Sequence, residues 1–162
     1  MEKRKRLRLQ QFDYRKNGAY FITICTKNKQ QCLSRVVGVD AHIDPYIELT
    51  AWGQIAETYL LSIPGIQKYV IMPNHIHLLL RIEEDSGPMW ASAPTQSISN
   101  CIRSFKTLVS KQIGVSIWQR SFYDHVIRND EDYLRVWQYT DDNPAKWAED
   151  KYYISEQGEG LC

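Results

Sequence analysis

His75 and His77 are the residues of this chain whose types and spacing first suggest chemistry. They head the β-rich run His75-Ile-His-Leu-Leu-Leu-Arg-Ile82. Side chains alternate along a strand, so residues two apart share a face. Both imidazoles therefore point one way and Ile76 the other. Two neighbouring imidazoles can ligate one divalent metal, with the remaining ligands drawn from elsewhere in the fold. A bare His-x-His pair is common, and both rings can equally be satisfied core or edge groups. The setting favours a metal, because two unpartnered imidazoles at the start of so apolar a strand would be costly.

Tyr139 is the second candidate. At about 100° per residue, Tyr133, Leu134, Val136, Trp137 and Thr140 form one stripe of a helix over 130–142, a stripe expected to pack on a sheet. Tyr139 falls off it, on the face that carries Asp132, Arg135 and Asn143. Tyr139 and Asn143 are four apart and so are neighbours on a helix face. The amide oxygen of Asn143 could complete a metal site, and the phenol would then lie within reach of a phosphate on that metal. A phenol with a pKa near 10 is a poor nucleophile unaided. A metal that polarises the phosphate supplies the missing help. The competing account is a surface tyrosine beside a helix end bounded by Pro144. Tyr123, in a strand, and Tyr133, on the apolar stripe, are expected to be structural. Tyr152 is a further competitor.

The elements that must position these groups are legible. Tyr20-Phe-Ile-Thr-Ile-Cys-Thr26 reads as a central strand behind Gly18. Residues 31–48 are harder, with Val36-Val37 and His42-Ile43 as short pieces around Gly38 and Pro45. Thr50 caps a helix whose apolar positions are Trp52, Ile55, Ala56, Tyr59 and Leu60, ending before Pro64-Gly65. Residues 66–72 and 75–82 flank Pro73-Asn74 as a hairpin. Residues 83–96 read as an exposed loop. Ile98, Cys101, Ile102, Phe105, Leu108, Val109 and Ile113 mark a helix over 97–113 that Gly114 ends. Phe122 to Ile127 is a short strand, and Asn129 caps the last helix. The first six elements follow the β-α-β-β-α-β order of a ferredoxin-like α+β sandwich, an antiparallel sheet with helices on one face. The last helix carries Tyr139.

A length of 162 residues, 43% hydrophobic and 24% charged, suits one soluble domain over 1–162. The net charge of +1 argues against a purely electrostatic nucleic-acid binder. Charge is uneven: residues 3–8 read Lys-Arg-Lys-Arg-Leu-Arg, and acids gather in 130–159. The basic arm 1–10 either holds phosphates through Arg4, Arg6 and Arg8 or is a solvated tail. Ten Tyr and five Trp fill cores and also suit unpaired bases. Cys25, Cys32, Cys101 and Cys162 have no C-x-x-C spacing, which excludes a zinc ribbon, and nothing suggests a disulfide framework. No signal-peptide or membrane-spanning run is present. The expectation is a reduced, cytoplasmic protein with no membrane partner and with 151–162 as a tail.

Four blocks carry a family resemblance: Tyr20-Phe-Ile-Thr-Ile-Cys-Thr-Lys-Asn28, Tyr69-Val-Ile-Met-Pro-Asn-His-Ile-His-Leu-Leu79-Leu80, Trp118-Gln-Arg-Ser-Phe-Tyr-Asp-His-Val-Ile-Arg128 and Asn143-Pro-x-x-Trp147. They resemble the REP-associated tyrosine transposases, which are single-tyrosine HUH transposases (HUH for His-hydrophobic-His). The resemblance implies a bacterial, nucleoid-associated endonuclease and strand transferase using Mg²⁺ or Mn²⁺. It implies His75 and His77 as the HUH pair and Tyr139 as the nucleophile. Asn143 falls where related enzymes carry a polar third ligand, often Gln. The implied substrate is single-stranded DNA beside a short imperfect hairpin. Attack would leave a 5′-phosphotyrosine and a free 3′-OH, and a second 3′-OH could reverse the step without ATP. The protein would act as a monomer or as a homodimer. His125, in Phe122-Tyr-Asp-His125, is also similar to the family; it supports the strand, touches DNA or serves the site.

On the 97–113 helix, Arg103, Lys106 and Lys111 lie off the apolar stripe and suit phosphates, as any solvated helix would. Trp90, in the 83–96 loop, is a candidate for stacking on a base or a lone exposed aromatic. Two other functions compete. A non-catalytic nucleic-acid-binding ferredoxin-like module would bind regardless of EDTA. Another small metal-dependent hydrolase would want more carboxylates near the histidines, and Glu83, Glu84 and Asp85 look solvated.

Overall fold

The β-branched and aromatic run behind Gly18 forms the middle of a sheet, with a partner on each side. The computed structural model describes residues 18–38, 44–82 and 98–153. In chain order the elements are β1 (Gly18–Cys25), β2 (Ser34–Val37), β3 (Tyr46–Leu49), α1 (Ala51–Leu60), β4 (Ile66–Ile71), β5 (His75–Ile82), α2 (Ile98–Ile113), β6 (Tyr123–Ile127) and α3 (Asp130–Asp142). β1 pairs antiparallel with β5 and β6, β4 pairs antiparallel with β5, and the sheet order is β4-β5-β1-β6. With β2 and β3 set aside, this is the ferredoxin-like β-α-β-β-α-β arrangement followed by α3. β2 and β3 form a separate two-stranded sheet that the sequence only hinted at around Gly38 and Pro45. Its strands are four residues each and half-exposed, too short to show a period. His42-Ile43 lie outside the described residues, as do the 1–10 arm, the 83–96 loop and all of the tail beyond residue 153.

Alternation sorts the two middle strands. Tyr20, Ile22 and Ile24 of β1 and Ile76, Leu78 and Leu80 of β5 are buried in one apolar cluster. Ala56 and Leu60 of α1, and Ile98, Ile102, Phe105 and Val109 of α2, complete it. α1 and α2 therefore cover one face of the sheet. Thr50 caps α1 by accepting from Gly53 N–H at 3.1 Å. A Cβ at Gly53 would sit 1.9 Å from the Leu33 carbonyl oxygen, so this approach of helix to chain tolerates only glycine. Gly114 ends α2 at φ 91°, with its N–H on the Ser110 carbonyl.

α3 lies on the other face, against β4 and β5. Asn129 caps it, its side chain accepting from Asp132 N–H at 2.8 Å. Here the expected apolar stripe is corrected. The buried row is Asp132, Val136 and Thr140, continued by Asn143, while Leu134 is 66% exposed. Tyr133 and Trp137 stack on each other beside β4, where Lys68 sits over the Trp137 ring. α3 roofs a groove rather than closing a core, so its polar residues turn inward. Cys25 and Cys32 are buried and Cys101 partly so, all three as free thiols. Among the described residues no helix is long and apolar enough to cross a membrane.

Candidate active site

The Pro73-Asn74 turn fixes the start of β5, closed by Met72 N–H on the His75 carbonyl and by Thr26 N–H on the Asn74 carbonyl. The register sets Thr23 opposite His77 and Cys25 opposite His75. His75 and His77 are buried, with ring centroids 4.5 Å apart. Each ring is held through its Nδ1, His75 by Asn74 Oδ1 and His77 by Thr23 Oγ1, both at 2.8 Å. The Asn74 amide nitrogen donates to the Tyr152 and Lys29 carbonyls, which turns its oxygen towards His75. His75 Nδ1 must then be the donor, leaving the Nε2 lone pair free, as metal-ligating histidines are usually arranged. Among the described residues, the Nε2 atoms of both rings are buried without a hydrogen-bond partner, and so is Asn143 Oδ1.

Burial pushes the His75 imidazolium down to about 3, and Lys151 lowers it further against an opposing contact from Asn143. Burial, then His75 and Lys151, lower His77 well below the usual histidine range. Both rings are therefore neutral near pH 7, the form that binds metal. Asp150 completes the cluster. Its Oδ2 is 3.8 Å from His75 Nε2, and ligand atoms of His75, His77 and Asp150 all lie within 4.8 Å of one another. Bonds of about 2–2.2 Å to a divalent cation span up to about 4.4 Å between opposite ligands, so small side-chain movements suffice. Burial raises the Asp150 carboxyl, opposed by Tyr152 N–H and Lys151. Three orphaned lone pairs and a confined carboxylate fit a divalent cation.

Tyr139 stands over this cluster. Its ring is 5.4 Å from the His77 ring and 5.9 Å, edge-on, from Phe21, which stacks on His77 at 5.0 Å. Asn143 Nδ2 donates to the Tyr139 carbonyl at 2.9 Å. Burial and then Asp150 raise the Tyr139 phenol, and Asn143 lowers it. Tyr139 is 42% exposed and lines a groove of about 840 Å³ together with His77, Asn143 and Asp150. Tyr152 comes closer by ring distance, 4.4 Å from His75. It does not line the groove, and its hydroxyl engages the Cys25 thiol instead.

The fold thus gathers His75, His77, Asn143 and Tyr139 from β5 and α3. It does not bring Arg103, Lys106 and Lys111 there. Arg103, Lys106 and Lys111 sit on α2, across the sheet from the histidines. Lys106 donates its ammonium to the Gln119 and Ser121 carbonyls at 2.8 and 2.7 Å. Arg103 and Lys111 are exposed. Arg4, Arg6, Arg8 and Trp90 lie outside the described residues. Asp150 was missed. Its one signal is an aspartate between aromatic residues, Trp147 and Tyr152, in a stretch otherwise read as solvated acid.

Comparison with known proteins bears on this geometry. No family model matches the chain. It is 31% identical to an uncharacterized protein of Haemophilus influenzae, covering 93% of each chain. It is 28% identical to a second Haemophilus influenzae protein, provisionally named a REP-associated tyrosine transposase, over 83% of this chain and 74% of that one. It is 25% identical to the REP-associated tyrosine transposase of Escherichia coli, over 82% of this chain and 70% of that one. The chain belongs to the REP-associated tyrosine transposase family. A solved REP-associated tyrosine transposase bound to a REP hairpin shares the fold, with a TM-score of 0.58 at 22% identity, over 93% of this chain and 77% of that one. Family membership makes the protein a transposase in the broad sense.

Proposed function

We propose that this transposase is a divalent-metal-dependent endonuclease and strand transferase for single-stranded DNA, acting beside hairpins through a 5′-phosphotyrosine on Tyr139. The observation that carries the reading is the pair of orphaned Nε2 atoms, one of them on the His77 ring 5.4 Å from the Tyr139 ring. The substrate class is drawn from the solved relative, which is bound to a REP hairpin. His75, His77, Asp150 and Asn143 would hold Mg²⁺ or Mn²⁺. When bound, the cation would draw electron density from a non-bridging phosphate oxygen and offset the charge of Asp150.

Asn74 and Thr23 hold the two rings, and the Asn74 oxygen leaves the His75 Nε2 lone pair forward. Asn143 braces the helix turn that carries Tyr139. Tyr139 Oη attacks phosphorus as its proton passes to water. The P–O3′ bond breaks and the departing 3′ oxygen takes up a proton. One phosphodiester is exchanged for another, so no nucleotide cofactor is required, and a second 3′-OH can reverse the step. The groove seats the strand and limits the approach of water to the phosphotyrosine.

The test is a denaturing gel of the protein incubated with a hairpin oligonucleotide and Mn²⁺. A covalent adduct is expected, absent with EDTA and absent in Tyr139→Phe, whose cleavage rate should fall by about 10⁴-fold or more. An adduct that persists in Tyr139→Phe removes Tyr139 from the role. Binding without any adduct, unchanged by EDTA and by His75→Ala, would leave a non-catalytic nucleic-acid-binding module.

A further inference from the structure

The groove continues past Tyr139 to a second group of side chains that the cleavage chemistry does not use. His125 on β6 and Asp132 on α3 bond at 2.8 Å, Nε2 to Oδ2. The carboxylate also takes the Arg128 N–H at 3.3 Å and an Arg135 guanidinium N–H at 3.1 Å. Burial raises the Asp132 carboxyl, but these donors outweigh it and hold it below the usual carboxylate range. The side chain of Asp132 is 10% exposed and that of His125 51% exposed. A confined carboxylate therefore accepts from Nε2 and sets the orientation of an open imidazole, whose Nδ1 has no partner among the described residues and donates to an anion as the imidazolium. All four residues line the same groove as His77, Tyr139 and Asn143.

Their position in the groove is defined by the sheet. His125 pairs with Phe21, and Phe21 touches both His77 and Tyr139. His125 is two strands and one same-face step from His77, about 12 Å between Cα atoms at standard strand spacings. At that distance from the histidine pair, His125 suits a phosphate neighbouring the one held there. Resting on the reading of this groove as a single-strand site, we infer that His125, oriented by Asp132 and flanked by Arg128 and Arg135, binds a second backbone phosphate. That phosphate lies one or two nucleotides from the one that is cut. The ligand class is a phosphodiester, and His125 is a positioning residue. Asp130 and Glu131 stand exposed on the first turn of α3. Their charge would repel a strand led over the helix end, which favours entry along β6.

The probe is a fluorescein-labelled single-stranded oligonucleotide without a hairpin, titrated in EDTA against Tyr139→Phe protein so that no cleavage occurs. Replacing His125 by Ala in that background should weaken binding about tenfold. With the titration run at a pH where an imidazole is protonated, it should also reduce the slope of log K against log salt by about 0.7, one neutralised phosphate on a single strand. His125→Arg should restore the slope, which a merely structural role would not do. Thermal stability should stay constant, because Asp132 keeps the Arg128 and Arg135 bonds. An oligonucleotide carrying one uncharged methylphosphonate should show a single position where the parent protein loses affinity and His125→Ala does not. An unchanged slope in both His125→Ala and Arg135→Ala overturns the inference while leaving the adduct assay intact. A reduced slope with no adduct in the unmodified protein leaves the subsite standing without the cleavage reading. Failure of the parent protein to bind the oligonucleotide overturns both.

Discussion

On β5, Ile76, Leu78 and Leu80 point into a core where they have no polar atom to satisfy. One residue out of step, His75 and His77 point the other way, each with one nitrogen bonded and one orphaned. The two faces are equally buried, so burial does not distinguish them. Completeness does. The α1–α2 face is closed by apolar contact, while the α3 face is built around polar atoms that no described residue hydrogen-bonds. Unpaired polar atoms cost stability wherever they are buried. The structure concentrates that cost beneath Tyr139, as expected of a site that waits for a ligand.

The largest predicted contrast comes from neighbouring substitutions on this one strand. Ile76→Ala should cost about 2–5 kcal/mol in urea denaturation, through lost apolar contact and a residual cavity. It should leave the stabilisation by Mn²⁺ unchanged. His77→Leu should be no less stable than the parent in EDTA, because it removes an orphaned nitrogen along with the Thr23 bond. It should lose the gain of about 2.7 kcal/mol that a cation at a hundred times its Kd gives the parent. If His77→Leu keeps the Mn²⁺ gain, the α3 face is not a metal site. If it destabilises as much as Ile76→Ala, the two faces are alike.

The sequence disclosed these faces unequally. The β-rich runs of β1 and β5, the caps at Thr50 and Asn129 and the helical period of α2 are local signals, and they placed the sheet and its helices. They also put His75 and His77 on one face and Tyr139 beside Asn143. The residues 31–48 gave too short a pattern to reveal the β2–β3 hairpin. Asp150 could not be found locally, because it reaches His75 only when the chain after α3 folds back over the turn at Asn74. For a related reason, Lys106 on a polar helix face gives no sign of the carbonyls that meet it at 119 and 121. Local periodicity records which side of an element is apolar, whereas the site depends on which polar side is roofed.

A smaller effect tests how dry the α3 face is. Cys25 ends β1 on the histidine side, and burial pushes its thiol up to about 11, against a lowering contact from the Tyr152 hydroxyl. Its pKa when unfolded is 9.0. The stability linked to this thiol is therefore fully present below pH 9 and is lost as pH rises towards 11, when the unfolded chain ionises first. A shift of about two units corresponds to at most about 2.7 kcal/mol. Urea midpoints of the parent and Cys25→Ala should converge over that interval, and iodoacetamide should modify folded Cys25 far more slowly than the unfolded chain. Parallel midpoint curves would mean that water reaches the β1 end of the site.

The smallest effect bears on α3, where polarity is reversed between the two faces. A helix read by its apolar stripe buries Leu134, and α3 leaves it 66% exposed while burying Asp132, Thr140 and Asn143. Leu134→Ala should change stability by less than about 0.5 kcal/mol, the usual range for an exposed position. Val136→Ala, two residues on and buried at 8% exposure, should cost about 1–2 kcal/mol. The reverse order would place the apolar stripe against the sheet. It would then rotate Tyr139 away from His77, because a helix cannot present both rows to the same groove.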